Sequence, residues 1–143
     1  MSNKSIGSKY EQKIADYLFE HDWWVHRLTQ NASGQPADII AVYKNKAYLI
    51  DAKFCENDKF PVSRVEENQH LAMTQWDKRT SFPGMFVLGT SKGDFVFWYS
   101  DIKNYNGSVM DLEYITKNGT DIESWVQWID YCCWKNDRHY YSK

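Results

Sequence analysis

Pro36-Ala37-Asp38-Ile39-Ile40-Ala41-Val42-Tyr43 and, after Lys44-Asn45-Lys46, Ala47-Tyr48-Leu49-Ile50-Asp51-Ala52-Lys53-Phe54 decide the fold. Each run is apolar and rich in β-branched or aromatic residues, the pattern of a strand. The polar connection is too short for a crossover, so the strands pair as an antiparallel hairpin. Nearly every position is apolar, which predicts a central hairpin covered on at least one face. Asp38, Asp51 and Lys53 break that pattern. Asp51 and Lys53 are two apart and share one face, leaving Tyr48, Ile50, Ala52 and Phe54 on the other. A hairpin centred on Asn45 pairs residues whose numbers sum to about 90, so Asp38 falls opposite roughly Ala52, beside Asp51 and Lys53.

Upstream, Tyr10, Ile14, Tyr17, Leu18 and His21 recur at spacings of three and four and predict a helix over Ser5–His21. Trp23–Leu28 suits a strand, and Asn31–Pro36 has the composition of a loop. Downstream, Ser63-Arg64-Val65-Glu66 has capping-box spacing and opens a helix to about Arg79, which Ser81-Phe82-Pro83-Gly84 ends. Met85–Gly89 and Phe95–Tyr99 read as strands around a Ser91–Asp94 turn. An edge strand is expected at Val109–Ile115 and a last helix from Ile122 to about Trp134. Lys135–Lys143 reads as a polar, aromatic tail that frays. The order α-β-β-β-α-β-β-(β)-α predicts one α/β domain with a mixed central sheet, its core at about residues 5–100 and a C-terminal extension at about 101–143.

The length of 143 residues fits a single compact domain. A hydrophobic fraction of 43% excludes a disordered chain. No apolar run approaches the ~20 residues of a membrane span. Met1–Ser5 opens a polar stretch with no apolar h-region, so no secretory signal is expected and the location expected is cytoplasmic. Cys55, Cys132 and Cys133 are odd in number and two are adjacent, which favours reduced thiols over a disulfide framework. His21, His26, His70 and His139 are scattered, with no CxxC or HExxH spacing for zinc.

Glu11 adds a fourth polar residue, on the edge of the first helix's apolar face. Clustered carboxylates repel, and burying them without a partner is costly. A divalent cation resolves both problems, and oxygen ligands suit Mg²⁺ or Mn²⁺. A lysine beside such a site can orient an attacking water and offset charge developing on a phosphate. Taken singly, D-x-K is a common solvated pair on a strand. Asp38 alone would serve as a turn residue after Pro36, and Glu11 as ordinary helix charge. The ordered set of all four points to metal-assisted phosphodiester hydrolysis.

Pro36-Ala37-Asp38 followed by Asp51-Ala52-Lys53 resembles the PD-(D/E)xK nuclease motif. That superfamily implies a restriction-endonuclease-like αβββαβ core, here with an added C-terminal helix. The resemblance extends to RecU-type Holliday junction resolvases of bacteria and phages, through Gly7-x-x-x-Glu11, Phe60-Pro61-Val62, Gln69 and Gly84-Met85-Phe86-Val87-Leu88. It covers about Gly7 to Tyr99. By this resemblance Asp38 and Asp51 bind Mg²⁺ or Mn²⁺, with the Ala52 carbonyl as a further ligand and Glu11 acting through a metal-bound water. Lys53 positions the nucleophilic water, Gln69 supports the site, and Ser33 lies near the scissile phosphate. The interval Trp23–Gln35 is too short for the long stalk of RecU-type enzymes, and the C-terminal third has no counterpart.

The implied partner is branched DNA, in a bacterial or phage-infected cell. A net charge of −2 does not advertise nucleic-acid binding, so phosphate contact falls to local cations, Lys9 and Lys13 one helical turn apart and Lys59 and Arg64 after the hairpin. Seven Trp, ten Tyr and seven Phe exceed the needs of a core and point to a homodimer interface in the C-terminal third. Two other readings fit the residues less fully: a repair or restriction-like nuclease acting on linear duplex, and a non-catalytic binding protein that keeps the nuclease fold.

Overall fold

A computed structural model describes residues 3–28, 35–80 and 82–141. Helix α1 spans Asn3–Glu20 and buries Tyr10, Ile14, Ala15 and Leu18, one stripe at helical spacing. Asp22 closes it in the left-handed region, at φ 68, and the Trp23 N–H returns to the Leu18 carbonyl at 3.1 Å. Three antiparallel strands follow: β1, Trp24–Arg27; β2, Ile39–Tyr43; and β3, Lys46–Phe54.

The hairpin register differs from expectation by one residue. Its turn is Lys44-Asn45 alone, with φ of 43° and 70°, so Lys46 joins β3 opposite Tyr43. Two central residues with positive φ give the turn twist that two-residue hairpins favour. Ile39 therefore pairs with Ile50, and the register carried one step further sets Asp38 beside Asp51 rather than Ala52. Because opposed residues share a face, this one-residue change puts both carboxylates on the same side of the sheet.

Past β3 the chain makes two short 3-10 turns, Glu56–Asp58 and Val62–Arg64, around the two-residue strand β4, Phe60–Pro61. Helix α2, Glu67–Arg79, then crosses to β5, Met85–Thr90, which lies parallel to β3. Ser63 does not cap α2. Residues 62–64 form their own turn, closed by the Val65 N–H on the Val62 carbonyl, and Glu66 becomes the N-cap.

Strand β6, Gly93–Trp98, returns antiparallel to β5. Helix α3, Tyr99–Lys103, strand β7, Val109–Met110, helix α4, Leu112–Asn118, strand β8, Thr120–Asp121, and helix α5, Ile122–Tyr141, complete the chain. The expected strand over 109–115 is thus cut to two residues. The Asp111 carboxylate accepts the Tyr114 N–H at 2.8 Å and starts a helix instead. The last helix also runs past Trp134, where a fraying tail was expected.

The main sheet has the order β1-β2-β3-β5-β6-β8, a mixed sheet in the predicted αβββαβ sequence with added C-terminal helices. One face, through Tyr48, Ile50 and Ala52, packs on α1 and on Ile122, Trp125 and Ile129 of α5. The other, through Leu49, Phe86 and Leu88, packs on Met73 of α2, Ile102 of α3 and Ile115 of α4. Trp125 is core, whereas Trp128 and Tyr131 are exposed on the outer side of α5. Among the described residues Cys55, Cys132 and Cys133 form no disulfide. Gly89 on β5 admits the Tyr10 ring, since a Cβ there would stand 2.5 Å from the ring.

Candidate active site

The end of β2 is fixed from both sides. The Asp38 carbonyl accepts the Leu28 N–H at 2.8 Å, and its own N–H donates to the Ile50 carbonyl at 3.1 Å. This backbone stitching aims the Asp38 side chain across β3, where Oδ2 accepts the Ala52 N–H at 2.8 Å. Oδ1 accepts the Gln35 amide at 2.5 Å, and the Asn68 amide of α2 holds the Gln35 carbonyl at 3.0 Å. Asp38 and Asp51 are 4% and 0% exposed, a degree of burial rare for carboxylates.

Asp51, Lys53 and Gln69 form one network. The Asp51 Oδ2 faces the Lys53 Nζ at 3.0 Å, and its Oδ1 accepts the Gln69 amide at 3.4 Å. Lys53 Nζ also donates to the Gln69 Oε1 at 3.2 Å. That same Oε1 accepts the Glu66 N–H at 3.1 Å, so the start of α2 dictates which way the amide points. The helix cap and the polar site therefore share one side chain.

Burial, above all, pushes the Asp38 carboxyl up to about 9. The Asp51 charge, a hydrogen bond with Asp51 and the Glu11 charge raise it further, against the lowering effect of the Ala52 N–H. Two carboxylates in one dry pocket do not readily ionise together. Glu11 stands close enough to act on Asp38 through its charge, yet its Oε2 pairs with the Arg27 guanidinium at 2.7 Å. Arg27 donates to the Gln12 Oε1 as well, at 2.7 Å.

Asp38, Asp51, Lys53 and Gln69 thus meet as expected, while Glu11 is turned aside to Arg27. Among the described residues no three His, Cys, Asp or Glu side chains gather as a metal cage. The donor set nevertheless fits a hard cation. Asp38 and Asp51 lie buried side by side with Lys53 as the cation at Asp51 Oδ2, and burial together with the Asp51 charge pushes the Asp38 carboxyl up. Mg²⁺ in particular takes one or two carboxylates and keeps several waters.

Lys9, Lys13, Lys59 and Arg64 lie on the surface at the far end of β3 from the hairpin turn, not in the carboxylate pocket. Lys13 pairs with Asp94 at 3.2 Å, and Arg64 donates to the Phe54 carbonyl at 2.7 Å. Ser33 lies outside the described residues. Arg27, Gln35 and Asn68 are absent from the expected set. Only the spacing of Gln35, three residues before Asp38 in the loop leading to β2, gave any hint of its role.

The fold and the sequence have counterparts among known proteins. The structure superposes on Hjc, a Holliday junction resolvase of the archaeal hyperthermophile Archaeoglobus fulgidus, with a TM-score of 0.66 at 13% identity, covering 84% of this chain and 99% of that one. It also superposes on the bacterial homing endonuclease I-Ssp6803I, with a TM-score of 0.54 at 14% identity, covering 76% of this chain and 73% of that one. These likenesses establish the restriction-endonuclease-like fold. Among curated proteins none matches the sequence. The family model of the archaeal Holliday junction resolvase, Hjc, matches residues 2–130, which is most of the chain and includes every described residue of the polar site. The chain belongs to the archaeal Holliday junction resolvase family.

Proposed function

We propose that this chain is a metal-dependent endodeoxyribonuclease that resolves Holliday junctions, working as a single nuclease domain. The observation that carries the reading is the buried Asp38–Asp51–Lys53–Gln69 network on β2, β3 and α2, in a chain of the resolvase family. Asp38, Asp51 and the Ala52 carbonyl would hold Mg²⁺ or Mn²⁺, with Glu11 reaching it through water. Bound there, the ion supplies Lewis acidity toward the scissile phosphate and acidifies a water ligand.

The residues of the chain do the rest. Lys53 Nζ is fixed between Asp51 Oδ2 and Gln69 Oε1, so its third proton is free to point at an attacking water or a phosphate oxygen. Gln69 keeps both partners in register because the α2 cap orients its amide. Burial of Asp38 and Asp51 keeps bulk water from competing for the reacting phosphate. Ser33 would approach that phosphate, and Lys9, Lys13, Lys59 and Arg64 would hold the flanking backbone.

A homodimer suits the task, because two symmetry-related strands are cut at a junction. Trp128, 53% exposed on the outer side of α5, supports an aromatic self-association surface in the C-terminal third. The location proposed is cytoplasmic. Gly7-x-x-x-Glu11, Phe60-Pro61 and Gln69 keep the RecU-type pattern, and a phage or bacterial source, within this reading.

The test is cleavage of four-way, flapped and linear duplex DNA in Mg²⁺, Mn²⁺ or EDTA, by the wild type and by Asp51→Asn. Metal-dependent cutting of the four-way junction, lost in the variant, is expected. Cleavage that persists in the variant removes the site assignment. Equal cutting of linear duplex favours a repair or restriction-like nuclease. No cutting together with no metal heat in calorimetry favours a non-catalytic binding protein.

A further inference from the structure

Phe54 follows the site lysine by one residue, at the very end of β3, yet 41% of it is exposed. Residues alternate along a strand, so its ring leaves the sheet on the face opposite Lys53, toward α1. It meets the Tyr10 ring edge-on at 6.0 Å and divides two surface grooves. One, of about 500 Å³, carries Lys59 and Arg64 together with Glu56. The other, of about 310 Å³, carries Lys9 and Lys13 together with Asp94. The four cations expected to touch phosphates therefore converge on a single exposed aromatic ring.

The walls are held in place before any ligand arrives. Arg64 is tied to the Phe54 carbonyl and lies over the Phe60 ring at 5.8 Å. The loop bearing Lys59 is pinned by Asp58, which accepts the Ser91 N–H at 2.7 Å and the Ser91 hydroxyl at 2.6 Å. Tyr10 is anchored by donating to Asp94 at 2.7 Å. Lys13 is occupied by Asp94, which leaves Lys9 as the freer cation of its groove.

We propose that Phe54 is a stacking platform for one unpaired nucleobase of the bound DNA, with Lys59 and Arg64 holding the phosphates on one side and Lys9 on the other. An aromatic face flanked by cations is the arrangement that binds single-stranded nucleic acid without regard to sequence. Duplex DNA offers no free base face, whereas a branch point does. Phe54 follows Lys53 directly at the end of β3 but turns to the opposite face of the sheet, so a base seated there lies across the strand end from the Lys53 network. This inference rests on the nuclease reading above and supplies it with a reason to prefer branched DNA.

The probe is a short single-stranded oligothymidylate carrying one 2-aminopurine, titrated onto the full chain without metal. The wild type quenches the fluorophore on binding. Phe54→Ala abolishes the quenching and weakens binding about 5- to 150-fold, the span of stacking for one base. Phe54→Trp restores both, which separates stacking from any loss of folding. Lys59→Ala lowers the dependence of log affinity on log salt by about 0.7, as for one single-strand phosphate. Unaltered quenching in Phe54→Ala, or none in the wild type, overturns the platform even if junctions are cut. Intact quenching in a chain that cuts no DNA in Mg²⁺ overturns the nuclease reading alone.

Discussion

Replacing Asp38 by Asn is expected to stabilise the metal-free protein at neutral and alkaline pH while abolishing cleavage. The Asp38 carboxyl titrates near 9 in the folded state against 3.8 for an ordinary aspartate, chiefly because it is buried and then because Asp51 stands beside it. Between these values the native state keeps a proton that the unfolded state releases. Stability must then fall as pH rises from about 4 to about 9, by about 1.36 kcal/mol per pH unit. Above the folded value both states are ionised and the loss levels off. Between pH 5 and pH 8 the cost reaches about 4 kcal/mol, a large part of the stability of a domain this size.

An asparagine of the same shape still accepts the Ala52 N–H and carries no charge to desolvate. The measurement is urea denaturation of both proteins in EDTA at pH 5, 6.5 and 8, where other titrating groups cancel in the difference. The advantage of Asp38→Asn should widen by about 4 kcal/mol across that range, or roughly 12 °C in Tm. Mg²⁺ should narrow the gap at pH 8 by stabilising only the wild type. Parallel pH profiles would show that native Asp38 carries no trapped proton, and would refute the electrostatic account of the site.

Two further outcomes follow from named contacts. Lys53→Met removes the cation facing Asp51 Oδ2 and the donor to Gln69, so single-turnover junction cleavage should drop about 10²–10³-fold, with junction affinity by gel shift nearly unchanged. Gly89→Ala places a methyl group 2.5 Å from the Tyr10 ring. It should cost about 1–3 kcal/mol in thermal denaturation and, by shifting Tyr10, reduce its protection from titration, which burial and Asp94 now raise far above the usual tyrosine range.

The hairpin and its polar trio were legible because a strand's period of two sorts side chains onto faces without knowledge of the rest of the chain. The register was not. Lys44 at φ 43 occupies a conformation that sequence preference assigns to Asn, Asp or Gly, so nothing in Lys44-Asn45-Lys46 marks where the turn ends. That single step decides whether Asp38 lies across from Ala52 or Asp51. Capping signals misled for a related reason. Ser63 and Asp111 are both chemically able to cap, and only tertiary packing determines that Asp111 does so and Ser63 does not. Gln69 entered through the family resemblance, since one amide on a helix carries no pattern.

What stayed hidden is what neutralises the carboxylates. Three acidic groups acting on one another need donors, and the structure supplies them from scattered places: Gln35 from a loop, the Ala52 N–H from a strand, Gln69 from a helix cap and Arg27 from the edge strand β1. None of these is periodic with respect to Asp38, so pattern reading cannot find them. Their distribution still separates two roles. Glu11 already has a full positive partner in Arg27, so it has little need of a cation. Asp38 has only neutral donors, Gln35 and the Ala52 N–H, and burial and Asp51 raise its carboxyl, so the Asp38–Asp51 pair shares the one charge of Lys53. Asp38 and Asp51 would therefore be the carboxylates that hold a divalent ion, while Glu11 stays paired with Arg27.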